Sequence, residues 1–332
     1  MTMTEIARQS GVSLKTVSRV VNHPEKVSKD TRAKVEKAME ELGYEVNLLA
    51  KALKEKRTNI VVVFLDPHNG EYLNSWRNEV LRYLFRYASE IGMKLVISAS
   101  DSRKFEGDQT DGFYLLSNGI ADGAILLEYI EKDKRVEYLK KKHAPFVILG
   151  QPREKDLFAV SLDNYDVGYQ GAKLFGAAPY RKLALFTGSW ERYSPSLRAE
   201  GFETGIRETG KEGVVYYGIS TMQEAFETAG ELFQKGLADC VMVPGDERAL
   251  GVYRAASELG RRIPEDVGVI AMDDLPMCAC LNPPLTALRH DLKGIAGACI
   301  DMLDAQLREN VPNFRQKFFP THLADRSSLT LG

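Results

Sequence analysis

Residues 11–22 read GVSLKTVSRVVN, and the fold of the first part of the chain turns on how this stretch is parsed. Gly11 can adopt the left-handed conformation that ends one helix, and Ser13 has the short hydroxyl side chain that caps the start of the next. Val17, with Val20 or Val21, then faces one side of the new helix, while Lys15 and Arg19, four residues apart, share the other. Upstream, Thr2 and Glu5 have capping-box spacing, so a preceding helix starts there and brings Ile6 and Ala7 to the same small core. Downstream, Ser28 caps a third helix, whose Val35, Ala38, Met39 and Leu42 keep the helical apolar period up to Gly43.

The polar side of the second helix suits one task in particular. Lysine and arginine donate to guanine O6 and N7, asparagine pairs with adenine, and serine or threonine contacts phosphate, so Lys15, Ser18, Arg19 and Asn22 on a helix behind a tight turn have the chemistry of a major-groove reader. Taken alone, the stretch also fits a helical hairpin with solvated charges. The charge distribution favours the first reading. Residues 1–58 hold twelve Lys and Arg against eight Asp and Glu, and the remainder 32 against 38, so a basic head precedes an acidic body.

At 332 residues and 44% hydrophobic content the chain is long enough for two or three compact units. Its start, MTMTEIARQS, lacks a basic then apolar export signal, and no apolar run approaches the roughly 20 residues of a membrane span, which makes the expected location cytoplasmic. The segment NLLAKALKEKRTN, residues 47–59, is a short amphipathic helix with a charged exit; in isolation such a helix is marginal and folds on a partner. From residue 60 strands and helices alternate: IVVVFL, KLVISAS, GAILLE, FVILG, AVSLD, KLALFTG, VVYYG, CVMVPG and VGVIAM are separated by helical segments. This is the rhythm of doubly wound parallel sheets, and the break at Gln151–Phe158 predicts two lobes, with ligands bound at strand C-terminal ends in a cleft between them.

A search for catalytic signatures finds none that fits. GIRETGKE, residues 205–212, has P-loop glycine and lysine spacing, but Glu212 replaces the hydroxyl residue that holds magnesium, and the lysine follows a helix instead of opening one. Gly210 reads better as a helix C-cap. G-x-S-x-G, H-E-x-x-H and G-x-G-x-x-G are absent, and the five histidines stand singly. Cys240 and Cys299 fall in apolar runs, and Cys278 with Cys280 forms one C-x-C pair without the further ligands a zinc site needs. No catalytic residue, cofactor or metal is expected.

The stretch TEIARQSGVSLKTVSRVVNHPEKVSKDTRAKVEKAMEELGY, residues 4–44, followed by NLLAKAL, closely resembles the DNA-binding headpiece and hinge of the LacI/GalR family of bacterial transcription regulators. The resemblance continues more loosely, in the family's order, through SLDNYDVGYQGAKLF, SLRAEGF, GDERALGVYRA, PEDVGVIAMDDLP, NPPLTAL and PTHLADRSS. It implies an all-α helix-turn-helix headpiece at residues 1–46, a hinge helix and linker at 47–58, and at 59–332 a two-lobed α/β domain like the periplasmic binding proteins, used for effector sensing and dimerisation.

The implied function is that of a sequence-specific repressor, binding a palindromic stretch of double-stranded operator DNA as a homodimer and controlled by a small molecule, a sugar, between the lobes. An activator or co-repressor-dependent regulator shares this architecture; a sugar-active enzyme with a DNA-binding head would need catalytic groups not found. The resemblance makes Leu14, Lys15 and Arg19 base readers and gives Thr4, Ser13, Thr16, Ser18, Asn22 and Ser28 DNA contacts around them. It places Asn47, Ala50 and Leu53 in the hinge, with Leu53 as the apolar wedge that enters the minor groove and kinks the duplex.

In the body, Arg198 and Asp273 match positions where family members contact effectors. Asp66, Trp76, Asp101, Glu128, Asp163 and Trp190 are further candidates because they follow or flank strand ends. Two departures bear on the ligand. Gly245-Asp246 stands where the family commonly has Asn-Asp, and Trp76 stands in NSWRNE where an asparagine-proline-aromatic pattern is usual. After the last strand SSLTLG carries no apolar heptads, so a dimer without a coiled-coil tail is expected.

Overall fold

A computed structural model describes residues 2–44, 57–66, 74–103, 105, 107, 112–190, 192–311 and 313–331, with Asn22 and Glu25 described by backbone only. The chain divides into two compact units, Met1–Thr58 and Asn59–Gly332. In the first, α1 (Met3–Ser10), α2 (Leu14–Asn22) and α3 (Lys29–Glu41) begin where local chemistry dictates. The Thr2 amide donates to Glu5 Oε2 at 2.7 Å and the Glu5 amide to Thr2 Oγ1 at 3.4 Å, which closes the capping box. Gly11, at φ +67°, ends α1, and Ser13 and Ser28 cap α2 and α3 by accepting from the Thr16 and Thr31 amides. Ile6, Val17, Val20, Val35 and Ala38 are buried together and hold the three helices to one another. The hinge segment containing Asn47, Ala50 and Leu53 lies outside the described residues.

The second unit is built on two six-stranded sheets. The first has the order β11-β5-β4-β3-β1-β2, all parallel: β1 (Ile60–Leu65), β2 (Lys94–Ala99), β3 (Gly123–Leu127), β4 (Phe146–Leu149), β5 (Ala159–Leu162) and β11 (Gln316–Phe319). The second runs β12-β10-β9-β8-β6-β7, from β6 (Lys182–Phe186), β7 (Glu212–Tyr216), β8 (Cys240–Val243), β9 (Gly268–Asp273), β10 (Thr286–His290) and β12 (Thr321–Ala324), with only β12 antiparallel to its neighbour. Central strands such as β3, β4 and β8 are buried throughout, which is why they read as unbroken apolar runs.

The nine strands anticipated from sequence are all present, and three more, β10, β11 and β12, join them. The expected lobe boundary at Gln151–Phe158 is corrected. That loop joins β4 to β5 within the first sheet, where Ile148 pairs with Ala159 and Leu149 with Val160. The chain first crosses after β5, through the helix Asn164–Ala177. It returns after β10 and crosses again between β11 and β12.

The first lobe carries α4 (Ser75–Glu90), α5 (Phe113–Ser117), α6 (Lys134–Lys141) and α11 (Leu292–Leu307), the last packed on α4 and on β3, β4 and β5. The second carries α7 (Asn164–Ala177), α8 (Tyr193–Thr209), α9 (Met222–Gln234) and α10 (Asp246–Glu258). Among these, α7 and α8 approach so closely that a Cβ at Gly168 would stand 1.9 Å from the Arg198 carbonyl oxygen, and one at Gly201 2.0 Å from the Tyr165 carbonyl oxygen. Glycine at both positions is what permits the crossing. No helix among the described residues is long and apolar enough to cross a membrane.

Candidate functional site

Two surfaces carry functional chemistry, one in each unit. On the headpiece, packing of Val17 and Val20 inward turns Leu14, Lys15 and Arg19 outward on α2. Leu14 is 50% exposed on a helix whose Val17 and Val20 are buried, so an apolar contact point sits beside two cations. Thr4 is exposed in the first turn of α1. Ser13 and Thr16 hold each other at the start of α2, hydroxyl to hydroxyl at 2.9 Å, and the Ser28 hydroxyl donates to Thr31 Oγ1 at 2.9 Å. Ser18 is half-buried on α2, and the backbone of Asn22 closes that helix. The result is a helix N-terminus presenting hydroxyls and amides beside a cationic face, an arrangement that accepts phosphate at its edge and base edges along its length.

In the body, a cavity of about 190 Å³ opens where the C-terminal ends of both sheets face each other. Glu128, directly after β3, and Ser161, in β5, reach it from the first lobe; Asp273, the last residue of β9, reaches it from the second with Arg192, Arg198 and Arg248. Glu128 has φ +74° and Asp273 φ +107°. Positive φ in non-glycine residues costs of order 1–3 kcal/mol each and persists only where surroundings enforce it. That both carboxylates of the cavity wall are held this way, one from each lobe, marks the cleft as a built site.

The side chains are mutually fixed. Glu128 accepts from the buried Arg77 guanidinium on Oε1 at 2.7 Å and from Arg192 on Oε2. Arg198 Nε donates to Asn164 Oδ1 at 2.9 Å, and Asn164 in turn donates its amide to Gln151 at 2.8 Å. Enclosure draws the Arg198 guanidinium below its ordinary value, with the Asp273 charge opposing that effect and Arg248 adding to it. Beneath Asp273, burial first and the Asp273 charge second push the Asp246 carboxyl well above the ordinary carboxylate range. Such fixed, orientable donors and acceptors bind a small polyhydroxylated molecule by paired hydrogen bonds, and Trp76 in the wall offers an aromatic face.

Of the eight residues nominated from sequence, Arg198, Asp273, Glu128 and Trp76 line this cavity and Asp66, Asp101, Asp163 and Trp190 do not. Asp66 is buried behind the wall, where it accepts from the Ser102 amide at 3.4 Å and lies 3.6 Å from the Arg135 guanidinium. Asp163 caps α7 by accepting from the Asp166 amide, and Asp101 closes a turn by accepting from the Arg103 amide at 2.8 Å. Trp190 is 69% exposed on the β6–α8 loop. Asn164, Arg192 and Arg248 were missed. The strand-end signal SLDN pointed one residue short of Asn164, and Arg248 sits in the first turn of α10, just past the Gly245-Asp246 departure.

The family model described as bacterial regulatory proteins, lacI family, matches residues 2–47, and that of the periplasmic binding protein-like domain matches residues 173–329. The HTH-type transcriptional regulator CelR of Thermobifida fusca is 27% identical over 339 residues, covering 98% of both chains. The solved CelR–cellobiose complex superposes with a TM-score of 0.73 at 26% identity, covering 99% of each chain. The Lac repressor dimer bound to operator and the anti-inducer ONPF has the same fold, with a TM-score of 0.84 at 23% identity over 99% of this chain and 98% of that one. Matched by the lacI-family model at its headpiece and by the periplasmic binding protein-like model in its body, and related over nearly its whole length to a transcriptional regulator, the chain carries the DNA-binding domain of the lacI family of bacterial regulatory proteins and is a DNA-binding transcription regulator.

Proposed function

We propose that this regulator represses transcription from a palindromic operator as a cytoplasmic homodimer and is controlled by a sugar bound between the lobes of its body. Residues 1–46 serve as the headpiece, 47–58 as the hinge and 59–332 as the sensor. The observation that carries the reading is the pair of strained carboxylates, Glu128 and Asp273, turned from opposite lobes toward one cavity with Arg198. A ligand touching both lobes sets their relative angle, and any change it makes in DNA affinity is returned as an equal change in its own affinity. The cavity is smaller than the roughly 300–1,000 Å³ of sites for drug-sized ligands, which points to a ligand of one sugar ring. The CelR–cellobiose complex is a precedent for a sugar in a relative of this fold.

The test is fluorescence anisotropy on an operator selected from random duplexes. Arg19→Ala and Lys15→Ala are each expected to weaken specific binding by about 1–3 kcal/mol, roughly 5- to 150-fold, and to relax base preference where each reads. Leu53→Ala weakens operator binding without altering sugar binding, if the hinge wedges the minor groove. Uniform loss across all duplexes in the Arg19 variant would reduce that residue to a phosphate contact. Ligand titration into the preformed complex gives the sign of coupling: release of DNA is expected for an inducer, and tighter binding would make the regulator co-repressor-dependent. Arg198→Ala is expected to abolish the ligand's effect on DNA affinity, and a retained effect would remove the cleft from the mechanism.

A further inference from the structure

The charge of the cavity wall specifies more than a sugar. Among the described residues it presents three guanidiniums, Arg192, Arg198 and Arg248, against two carboxylates, Glu128 and Asp273. Glu128 is bracketed by Arg192 and, from behind, by Arg77, so two cations already face it. Asp273 Oδ1 lies 3.0 Å from His290 Nδ1. The other carboxyl groups nearby leave this balance in place. Asp246 accepts from the Leu275 amide, Glu224 accepts from the Ser220 and Thr221 amides at the start of α9, and Glu247 accepts from Ser75; none of the three lines the cavity. Arg198 and Arg248 thus share the wall with Asp273, and the Arg198 guanidinium lies within the fields of both Asp273 and Arg248.

The glycine at residue 245 makes room for the Arg248 guanidinium at the wall. Gly245 has φ +88°, and a Cβ there would stand 2.6 Å from Arg248 Nη1 and 3.6 Å from Asp273 Oδ2. The Arg248 guanidinium therefore lies where a residue-245 side chain would begin, beside Asp273. It is held by donation from Nε to the Ser220 carbonyl at 2.7 Å and from Nη1 to the Pro244 carbonyl. With no side chain at residue 245, the guanidinium occupies that space and places a fixed cation beside Asp273. Guanidiniums placed on a partly enclosed wall with like charge opposite favour an anionic oxygen group, whose bonds to them are charge-assisted and bidentate.

We infer that the ligand is a monosaccharide bearing an anionic group, a carboxylate or a phosphate, seated between Arg198 and Arg248. The inference rests on the cleft being the effector site. Thermal-shift titrations of the full chain at physiological salt test it, with hexuronates and aldonates in one arm, hexose phosphates in a second, their neutral parent sugars in a third and inorganic phosphate as control. Arg248→Gln and Arg248→Lys are run beside the unmodified chain, and their ligand-free melting curves report folding.

A saturable rise in melting temperature with one acidic sugar and none with its neutral parent is expected; the responding arm identifies the anion. Arg248→Gln should weaken that ligand by about 10- to 100-fold, with the charge-retaining Arg248→Lys losing less. A neutral parent that binds as tightly as its acid, equally in both Arg248 variants, would overturn the inference while leaving the cleft as the sensor. An equal rise with inorganic phosphate would overturn the sugar part of it. No rise from any sugar, charged or neutral, would count against the cleft reading itself.

Discussion

Arg135→Ala is expected to lower the stability of the body by about 3–5 kcal/mol, the cost of leaving a buried charge without its partner, and its melting temperature by about 6–20 °C. Arg135 is fully buried at the start of α6. Its guanidinium holds Asp133 by three bonds, at 3.0, 3.3 and 2.7 Å, donates to the Ser100 carbonyl at 2.9 Å and to the Glu128 carbonyl at 3.5 Å, and lies 3.6 Å from Asp66. Alanine would strand two buried carboxylates, Asp133 and Asp66, with no cation between them. Adding Asp66→Asn and Asp133→Asn to the same chain removes those charges and should restore a substantial part of the loss. Thermal melts of the full chain decide the matter; a shift under about 2 °C for Arg135→Ala would mean that water reaches the cluster. The contact to the Glu128 carbonyl also makes this network the support of one strained cleft residue, so ligand affinity should fall with stability.

Gly168→Ala should cost about 1–3 kcal/mol or more, as overpacking of a close helix crossing does. The added methyl would meet the Arg198 carbonyl at 1.9 Å, and backbone cannot rotate aside as a side chain can. The helices must separate, which moves the backbone of Arg198 and loosens its 2.9 Å bond to Asn164. Loss of ligand response should therefore accompany the lowered melting temperature. Gly230→Ala is the matched control: it lies inside α9 with nothing within 4 Å of a Cβ, and should gain about 0.5–1 kcal/mol from helix propensity. Equal destabilisation by the two substitutions would show that helix contact is not what Gly168 provides.

The features legible in the sequence are those with local causes. Thr2, Ser13, Ser28 and Gly11 cap or end helices through bonds to residues three or four positions away, so their spacing sufficed. The nine anticipated strands declared themselves mostly as apolar runs because central parallel strands are covered on both faces. The strands β10, β11 and β12 gave no comparable signal: TALRH breaks its apolar run with Arg289 and ends on His290, and QKFF and THLA, the outermost strands of their sheets, are short and partly exposed.

The lobe boundary was misplaced because the polar Gln151–Phe158 loop resembles a linker, whereas the true crossing runs through Asp163-Asn164 with no break in composition. The cleft was half legible. A strand's C-terminal end marks where a ligand can sit, but whether Asp163 caps a helix, Asp66 turns inward, or Glu128 and Asp273 twist into the cavity depends on tertiary neighbours.

The order of the last two strands has a consequence for synthesis. Residues 316–324 supply the outermost strand of both sheets, β11 beside β5 and β12 beside β10. A growing chain therefore leaves the β5 and β10 edges open until residues 316–324 emerge, although the three-helix headpiece, with its own core, has long been complete. A nascent or prematurely stopped chain would possess the reader of DNA before it possesses a finished sensor, and it would expose the β5 and β10 edges to chaperones, to proteases and to other copies of itself. Regulated and unregulated forms of the chain are thus separated by the nine residues 316–324.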